Sequence, residues 1–214
     1  MTNASTSSYV LRYFDLPGLA QNIRTLLNLA GAQWTEEHPE WPAAKADQPF
    51  GRMPVLIEKN SDGEVVFELS ESVVIERYIL RTFGLLPTDL KAAARQEQLR
   101  DQFTDILLSI LAHTNAGDDS KEKTKEKAVE ILETSVSVHS KLLRENGNNG
   151  HFFGDKISYA DISFYNLLKF IQDWDVRKNT SFAAYVANDK VPEFEKLIAT
   201  VEAEPALQSH FAAH

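Results

Sequence analysis

The stretch Pro49-Phe-Gly-Arg-Met-Pro-Val-Leu56 constrains this chain most. Pro54 has no N–H for a sheet ladder, so it opens a strand at an edge and cannot sit inside one. The amide and carbonyl of Met53, just before it, are then expected to stay unpaired. Further on, Glu71-Ser72 opens an amphipathic helix. A serine there offers its hydroxyl, with the first helix amides, to an anion. Together the two features describe a pocket that reads a peptide backbone at one end and a carboxylate at the other. The chain has no cysteine, so thiol chemistry at such a pocket must come with the ligand.

The lack of cysteine excludes disulfides, cysteine nucleophiles and thiolate metal sites. It makes the reducing cytosol the simplest compartment. With 43% hydrophobic and 25% charged residues over 214 positions, the chain has the composition of a globular protein. Its length suits one large domain or two that share an interface. A formal net charge of −9 argues against nucleic acid, whose phosphates need a basic face. No apolar run approaches the roughly 20 residues that cross a bilayer. Met1 to Ser8 are polar and read as a frayed tail without the apolar region of a signal peptide. The six histidines show no His-x-x-x-His spacing, and no metal site is expected.

The first third alternates strand and helix. Tyr9 to Phe14 is a β-branched and aromatic run that stops at Pro17-Gly18, and Ile23, Leu26, Leu27 and Ala30 recur at helical spacing up to Gly31. A weak strand is expected at Gln33 to Glu37, then an irregular segment through Trp41, Pro42, Lys45 and Pro49. Asp62-Gly63 marks a hairpin between Val55-Leu-Ile57 and Glu64 to Phe67. The next helix, from about Ser70, is expected to turn Val74, Ile75, Tyr78 and Ile79 inward. This order gives a four-stranded mixed sheet with helices on its faces. After Leu85-Leu-Pro87 the pattern is helical only. A long helix runs from Ala92 to about His113. After a loop at Asn115–Ser120, a second helix continues to the Asn146–Gly150 turn. A third begins near Ser158, whose spacing to Asp161 matches a capping box. Shorter helices are expected at about Phe182–Ala187 and Pro192–Ala203.

This α/β order, with a proline opening its third strand, resembles the thioredoxin fold, where that proline is commonly cis; an ordinary trans edge proline is the alternative. Followed by an all-helical domain with Phe152-Phe-Gly-Asp-Lys-Ile-Ser158-Tyr-Ala-Asp161, the whole from Tyr9 onward resembles a cytosolic glutathione transferase. The N-terminal motifs are most similar to the sigma class: Tyr13-Phe14, Trp41-Pro42, Lys45, Pro49-Phe-Gly51, Pro54 and Glu71-Ser72. The resemblance implies a thioredoxin-like glutathione-binding domain at 1–84, a linker at 85–91, and an all-helical domain at 92–214 that carries a second-substrate pocket. It implies a cytoplasmic homodimer acting on glutathione, as co-substrate, and a small hydrophobic electrophile, without metal, nucleic acid or membrane.

Tyr13 falls on the family's catalytic tyrosine. A glutathione thiol titrates near roughly 8.5 like cysteine, and a phenol that donates a hydrogen bond to sulfur favours the thiolate nucleophile. Tyr13 read without that context is a core aromatic at a strand end. The same resemblance assigns the Met53 backbone, beside Pro54, to the cysteinyl amide. Ser72 and the helix N-terminus take the γ-glutamyl carboxylate, and Glu71 its ammonium. Trp41, Lys45 and Arg52 take the glycyl end. Asp101 matches an aspartate that reaches glutathione across a dimer interface; a solvent-facing helix acid is the equal alternative. Leu16, Pro17, Thr104 and Leu108 are expected around the second substrate. Leu19 departs from the pattern, since many sigma members carry arginine there, as do Arg52 for lysine and Glu71 for glutamine. The competing readings are a non-catalytic relative resembling S-crystallins and a glutathione-dependent isomerase acting on a prostaglandin-type substrate.

Overall fold

The computed structural model describes residues 7–187 and 189–212. The chain divides into two compact units, Met1–Leu85 with Ser209–His214, and Leu86–Gln208. In this division Ser209–His214 group with the first unit. The reason is His210, which contacts Gln21 and Thr25 at 3.4 Å and Asn28 at 3.3 Å and so belongs with the first unit. Of the expected polar tail, residues 1–6 lie outside the described residues and Ser8 already opens a strand.

In the first unit, β1 (Ser8–Arg12), β2 (Gln33–Glu37), β3 (Val55–Lys59) and β4 (Val65–Ser70) form one mixed sheet in the order β2-β1-β3-β4. β1 pairs parallel with β2, while β3 runs antiparallel to both β1 and β4. Val10, Val55 and Ile57 make one buried cluster of the sheet. Helices α1 (Gln21–Leu29) and α2 (Ser72–Thr82) pack on each other and bury Ile23, Leu26, Leu27, Ile75, Ile79 and Leu80. Val74, expected inward, is exposed. The buried stripe of α2 is Ile75, Ile79 and Leu80 at i, i+4 and i+5, and Val74 falls one residue, about 100°, off it. The expected β1 strand stops two residues early, because Tyr13 and Phe14 leave the sheet for the candidate active site.

The second unit contains α3 (Leu90–Thr114), α4 (Asp118–Glu145), α5 (Tyr159–Lys178) and α6 (Pro192–Glu202); α7 (Gln208–Ala212) ends the described chain. The loop expected to reach Ser120 is shorter, since α4 takes up Asp118 and Asp119. Their charges favour the positive helix N-terminus. Phe164 of α5 is the hub of the core. Its ring lies 5.0 Å from Phe103, 5.4 Å from Phe152, 4.8 Å from Phe194, and stacks on His139 at 4.9 Å. The expected capping box is present: Ser158 Oγ accepts from the Asp161 N–H, and Asp161 Oδ2 accepts from the Ser158 N–H at 2.8 Å. Asp161 does more than cap, because its Oδ1 also accepts from the Phe152 N–H at 2.8 Å and ties the preceding turn to the helix. A cap of this kind contributes on the order of 1 kcal/mol.

His139 is fully buried among these rings. Its Nδ1 donates to the Ser135 carbonyl at 2.6 Å, which leaves Nε2 buried with no partner among the described residues. A proton on Nε2 would place an unpaired charge in an apolar core, so burial pushes His139 down to about 4. Unfolded, the same side chain takes up its proton near pH 6.5. The helical unit therefore has full stability from His139 above that pH and loses it as pH falls toward 4. The loss at pH 4 should be roughly 3 kcal/mol. Melting curves of wild type and His139→Leu between about pH 7 and pH 4.5 check this: the wild type should lose melting temperature more steeply than the variant.

Candidate active site

The strand register brings the predicted site residues to one end of the sheet. Val55 pairs with Arg12 on one side and with Ser70 on the other. Tyr13 follows Arg12, cis Pro54 precedes Val55, and Glu71-Ser72 follow Ser70, so all three leave the sheet at the same edge. Arg12 also pairs with Glu37, which brings the chain through His38 toward Trp41. A second cis peptide, Trp41–Pro42, which the sequence pattern does not announce, precedes a 3₁₀ turn at Ala43–Asp47 carrying Lys45.

Tyr13 is 6% exposed. Its ring meets Phe14 edge-on at 5.2 Å, and Phe14 in turn meets Trp41 at 5.5 Å, so an aromatic run links Tyr13 to the segment of Lys45. The Tyr13 hydroxyl accepts a hydrogen bond from the Leu19 N–H at 3.0 Å. Burial raises the phenol above its ordinary range, against the opposing pull of the Leu19 amide and the Arg24 charge. A phenol so placed keeps its proton at neutral pH and can donate it in a hydrogen bond. The ladder begins at Val55, and among the described residues the Met53 amide and carbonyl find no backbone partner. They stand as a short free strand edge able to pair with an extended peptide.

Glu71 is the N-cap residue of α2 with φ 74°, a left-handed conformation rare for glutamate, and its side chain does not cap the helix. Ser72 begins the helix, and its hydroxyl has no partner among the described residues. The first amides of α2 are thus open to an anion. Arg52 Nη1 lies 3.8 Å from Glu71 Oε1, with both side chains at least half exposed. Tyr13, Trp41, Lys45, Arg52, Met53, Pro54, Glu71 and Ser72 all lie in the first unit, and the register brings Tyr13, Pro54, Glu71 and Ser72 to one end of the sheet. Asp101 is an exposed residue of α3 in the second. Among the described residues no three His, Cys, Asp or Glu side chains cluster as a metal ion would need, and no helix is long and apolar enough to cross a membrane.

Two residues that shape the site do not stand out in the sequence. Gly18 reads there only as a turn. It has φ +42°, and a Cβ there would lie 2.6 Å from the Tyr13 hydroxyl oxygen and 2.9 Å from Leu16 Cδ1. The glycine lets the backbone close over the phenol. The other is Arg24, which helical periodicity leaves as an ordinary position on α1.

Comparison with known proteins agrees with this architecture. Residues 9–81 match the model of the glutathione S-transferase N-terminal domain, and residues 104–214 that of the C-terminal domain. The chain is 33% identical over 164 residues to glutathione S-transferase 1 of Ascaris suum, covering 72% of this chain and 75% of the relative. It is 30% identical over 210 residues to hematopoietic prostaglandin D synthase of Gallus gallus, covering 94% and 93%. The solved structure of the glutathione S-transferase from Ascaris lumbricoides superimposes with a TM-score of 0.74 at 27% identity, over 96% of this chain and 97% of that one. The chain belongs to the glutathione S-transferase family, and its curated relatives support a glutathione transferase.

The geometry of Gly18 makes a direct prediction. Gly18→Ala should displace the Tyr13 hydroxyl and lower kcat for glutathione conjugation about tenfold or more, while glutathione affinity changes little. Steady-state kinetics with glutathione titrations on both proteins check it.

Proposed function

We propose that this chain binds glutathione at the sheet end where Tyr13, Met53 and Ser72 meet, holds its sulfur as thiolate against the Tyr13 hydroxyl, and transfers it to a small hydrophobic electrophile. The observation that carries this reading is the Tyr13 hydroxyl itself. Its oxygen already accepts the Leu19 N–H at 3.0 Å, and burial keeps it protonated, so its own hydrogen remains to be given to a sulfur. Stabilising the thiolate relative to the thiol lowers the thiol pKa, and each unit is worth about 1.4 kcal/mol. Below that pKa, rate falls with pH as the thiolate fraction falls.

In this reading the free edge of Met53, beside Pro54, pairs with the cysteinyl amide. Ser72 and the α2 amides hold the γ-glutamyl carboxylate, and Glu71 its ammonium. Trp41, Lys45 and Arg52 meet the glycyl carboxylate, the cations by charge-assisted hydrogen bonds. Residues 1–84 form the glutathione-binding domain and 85–91 the linker. The helical domain at 92–214 supplies an apolar second-substrate pocket. The finer assignment is the sigma class, on the resemblance of Tyr13-Phe14, Trp41-Pro42, Lys45, Pro54 and Glu71-Ser72. The protein acts as a cytoplasmic homodimer in the removal of electrophiles, with Asp101 reaching toward the glutathione of the partner copy. The homodimer follows the family resemblance, and Phe50, 65% exposed on the first unit, is a candidate contact.

The test is the pH dependence of conjugation to a chlorodinitrobenzene electrophile. Tyr13→Phe should lose about tenfold in kcat near pH 7 and raise the apparent pKa of bound glutathione by about one unit, with affinity nearly intact. Ser72→Ala should instead weaken glutathione binding, about tenfold, and leave that pKa unchanged. Equal pH profiles for wild type and Tyr13→Phe would remove Tyr13 from the chemistry. For assembly, sedimentation velocity should give a dimer for wild type, and Phe50→Glu should shift it toward monomer. A wild-type monomer at micromolar concentration would refute the homodimer.

A further inference from the structure

Arg24, on α1, is 5% exposed, yet it carries a full charge into the interior of the first unit. All five of its N–H donors are used. Nε donates to both carboxylate oxygens of Glu36 at 3.0 Å, and Nη1 donates to the Leu16 carbonyl at 2.9 Å and the Pro17 carbonyl at 3.0 Å. Nη2 donates to the Phe14 carbonyl at 3.2 Å and to Glu36 Oε1. Three carbonyl contacts therefore fix the backbone between Tyr13 and Gly18 from inside. The same guanidinium stands 5.8 Å from the centre of the Tyr13 ring. Directly after this clamped stretch comes Leu19, which gives its backbone N–H to the Tyr13 hydroxyl. A glutamate on β2 holds the fork in place, so sheet, helix and loop meet at one side chain.

We propose that Arg24 is the positioning residue for Tyr13: it locks residues 14–18 so that the Leu19 amide stays on the phenol oxygen, and it lends the phenol a buried positive charge. Both effects act on the strength of the hydrogen bond that Tyr13 can donate. An oxygen that accepts a hydrogen bond polarises its own O–H, and a nearby cation makes that O–H more acidic, and so a better donor to a thiolate. The side chain of Leu19 is apolar and contributes no charge, so the electrostatic part falls to Arg24. The other charged groups around Tyr13 in this unit are differently engaged. Glu36 is paired with Arg24 itself. His38 donates through Nδ1 to the Tyr13 carbonyl at 3.1 Å, on the backbone and not the phenol. Glu37 is taken by Arg12 at 2.7 Å, and Asp15 is exposed in the loop. Lysine cannot replace this arginine, since one ammonium cannot reach three carbonyls and a carboxylate as a planar fork does.

The inference rests on Tyr13 as the thiol-activating group, and one experiment separates the two. The pKa of bound glutathione is read from the ultraviolet absorbance of its thiolate, and affinity from quenching of tryptophan fluorescence, for wild type, Tyr13→Phe, Arg24→Gln and Arg24→Lys. Circular dichroism confirms that each is folded. Arg24→Gln is expected to raise the bound-thiol pKa by about one unit and to lower kcat about tenfold, with glutathione affinity within about twofold of wild type. Arg24→Lys should recover part of the pKa, because it restores the charge and not the clamp. A folded Arg24→Gln with a wild-type pKa, even with a lowered melting temperature, would overturn the proposal and leave Arg24 a purely structural residue. If Arg24→Gln does not fold, Arg24→Lys decides in the same way: a raised pKa supports the proposal, and a wild-type pKa overturns it. If Tyr13→Phe itself leaves the pKa unchanged, it is the tyrosine reading that fails.

Discussion

Backbone pairing at Val55 is the constraint on which the site depends. One residue stands opposite Arg12 of β1 on one side and opposite Ser70 of β4 on the other, so three chain segments far apart in sequence must end their strands at the same edge. The residues flanking each strand end are then fixed in space before any side chain is considered. Tyr13 comes off β1, Pro54 leads into β3, and Glu71-Ser72 come off β4. A slip of one residue in either pairing would turn each side chain to the opposite face and separate the phenol from the helix N-terminus. The proline enforces this register from one side, since it cannot join the ladder and so marks where β3 starts. Site geometry here is a consequence of sheet geometry.

Around that frame, some buried polar groups hold backbone in one conformation. Arg24 and Glu36 form an ion pair within the unit, and such pairs stabilise poorly because desolvating two charges costs about what their attraction returns. Its value lies in direction: a fork with five donors holds a loop in one conformation where an apolar residue would hold it in several. Asp161 works by the same logic in the helical unit, where one carboxylate caps α5 and holds the Phe152 turn. His139 is the contrasting case. It gives one hydrogen bond to Ser135 and leaves its other nitrogen unpaired against Phe164, so it ties the unit's stability to pH without a visible return in positioning.

Much of this was legible in the sequence because the signals are local. Pro54, the Asp62-Gly63 hairpin, Ser158 with Asp161, and the helical periods each declare themselves within a few residues. The four-stranded mixed sheet and the all-helical second half follow from their order. What could not be read was whatever depends on contacts across the fold. Val74 looks as apolar as Ile75, and only the packing partner of α2 selects between them. Gly18 reads as a turn glycine until the Tyr13 hydroxyl is placed 2.6 Å from where its Cβ would be. Arg24 is an ordinary helix residue until its side chain is seen reaching back to the carbonyls of Phe14, Leu16 and Pro17. The return of His210 to Asn28 of α1 spans 182 residues and leaves no local mark.

The charge of the whole chain and the charge of the site point in opposite directions, and distance decides which one a ligand feels. With 31 acidic against 22 basic side chains, the protein repels anions at long range. Glutathione carries two carboxylates and one ammonium, and gains a further negative charge as thiolate. At physiological ionic strength charges are screened over about 8 Å, so remote acids weigh little once the tripeptide is docked. In the proposed reading, the local balance then comes from Lys45, Arg52 and the open amides of α2 at the carboxylate ends, and from a protonated phenol backed by Arg24 at the sulfur. Of these cations, only Arg24 is buried, where a charge is weakly screened and its effect on the phenol is largest. On that proposal the exposed cations meet the carboxylate ends of the ligand, while the thiolate is sensitive mainly to the charge that solvent does not reach.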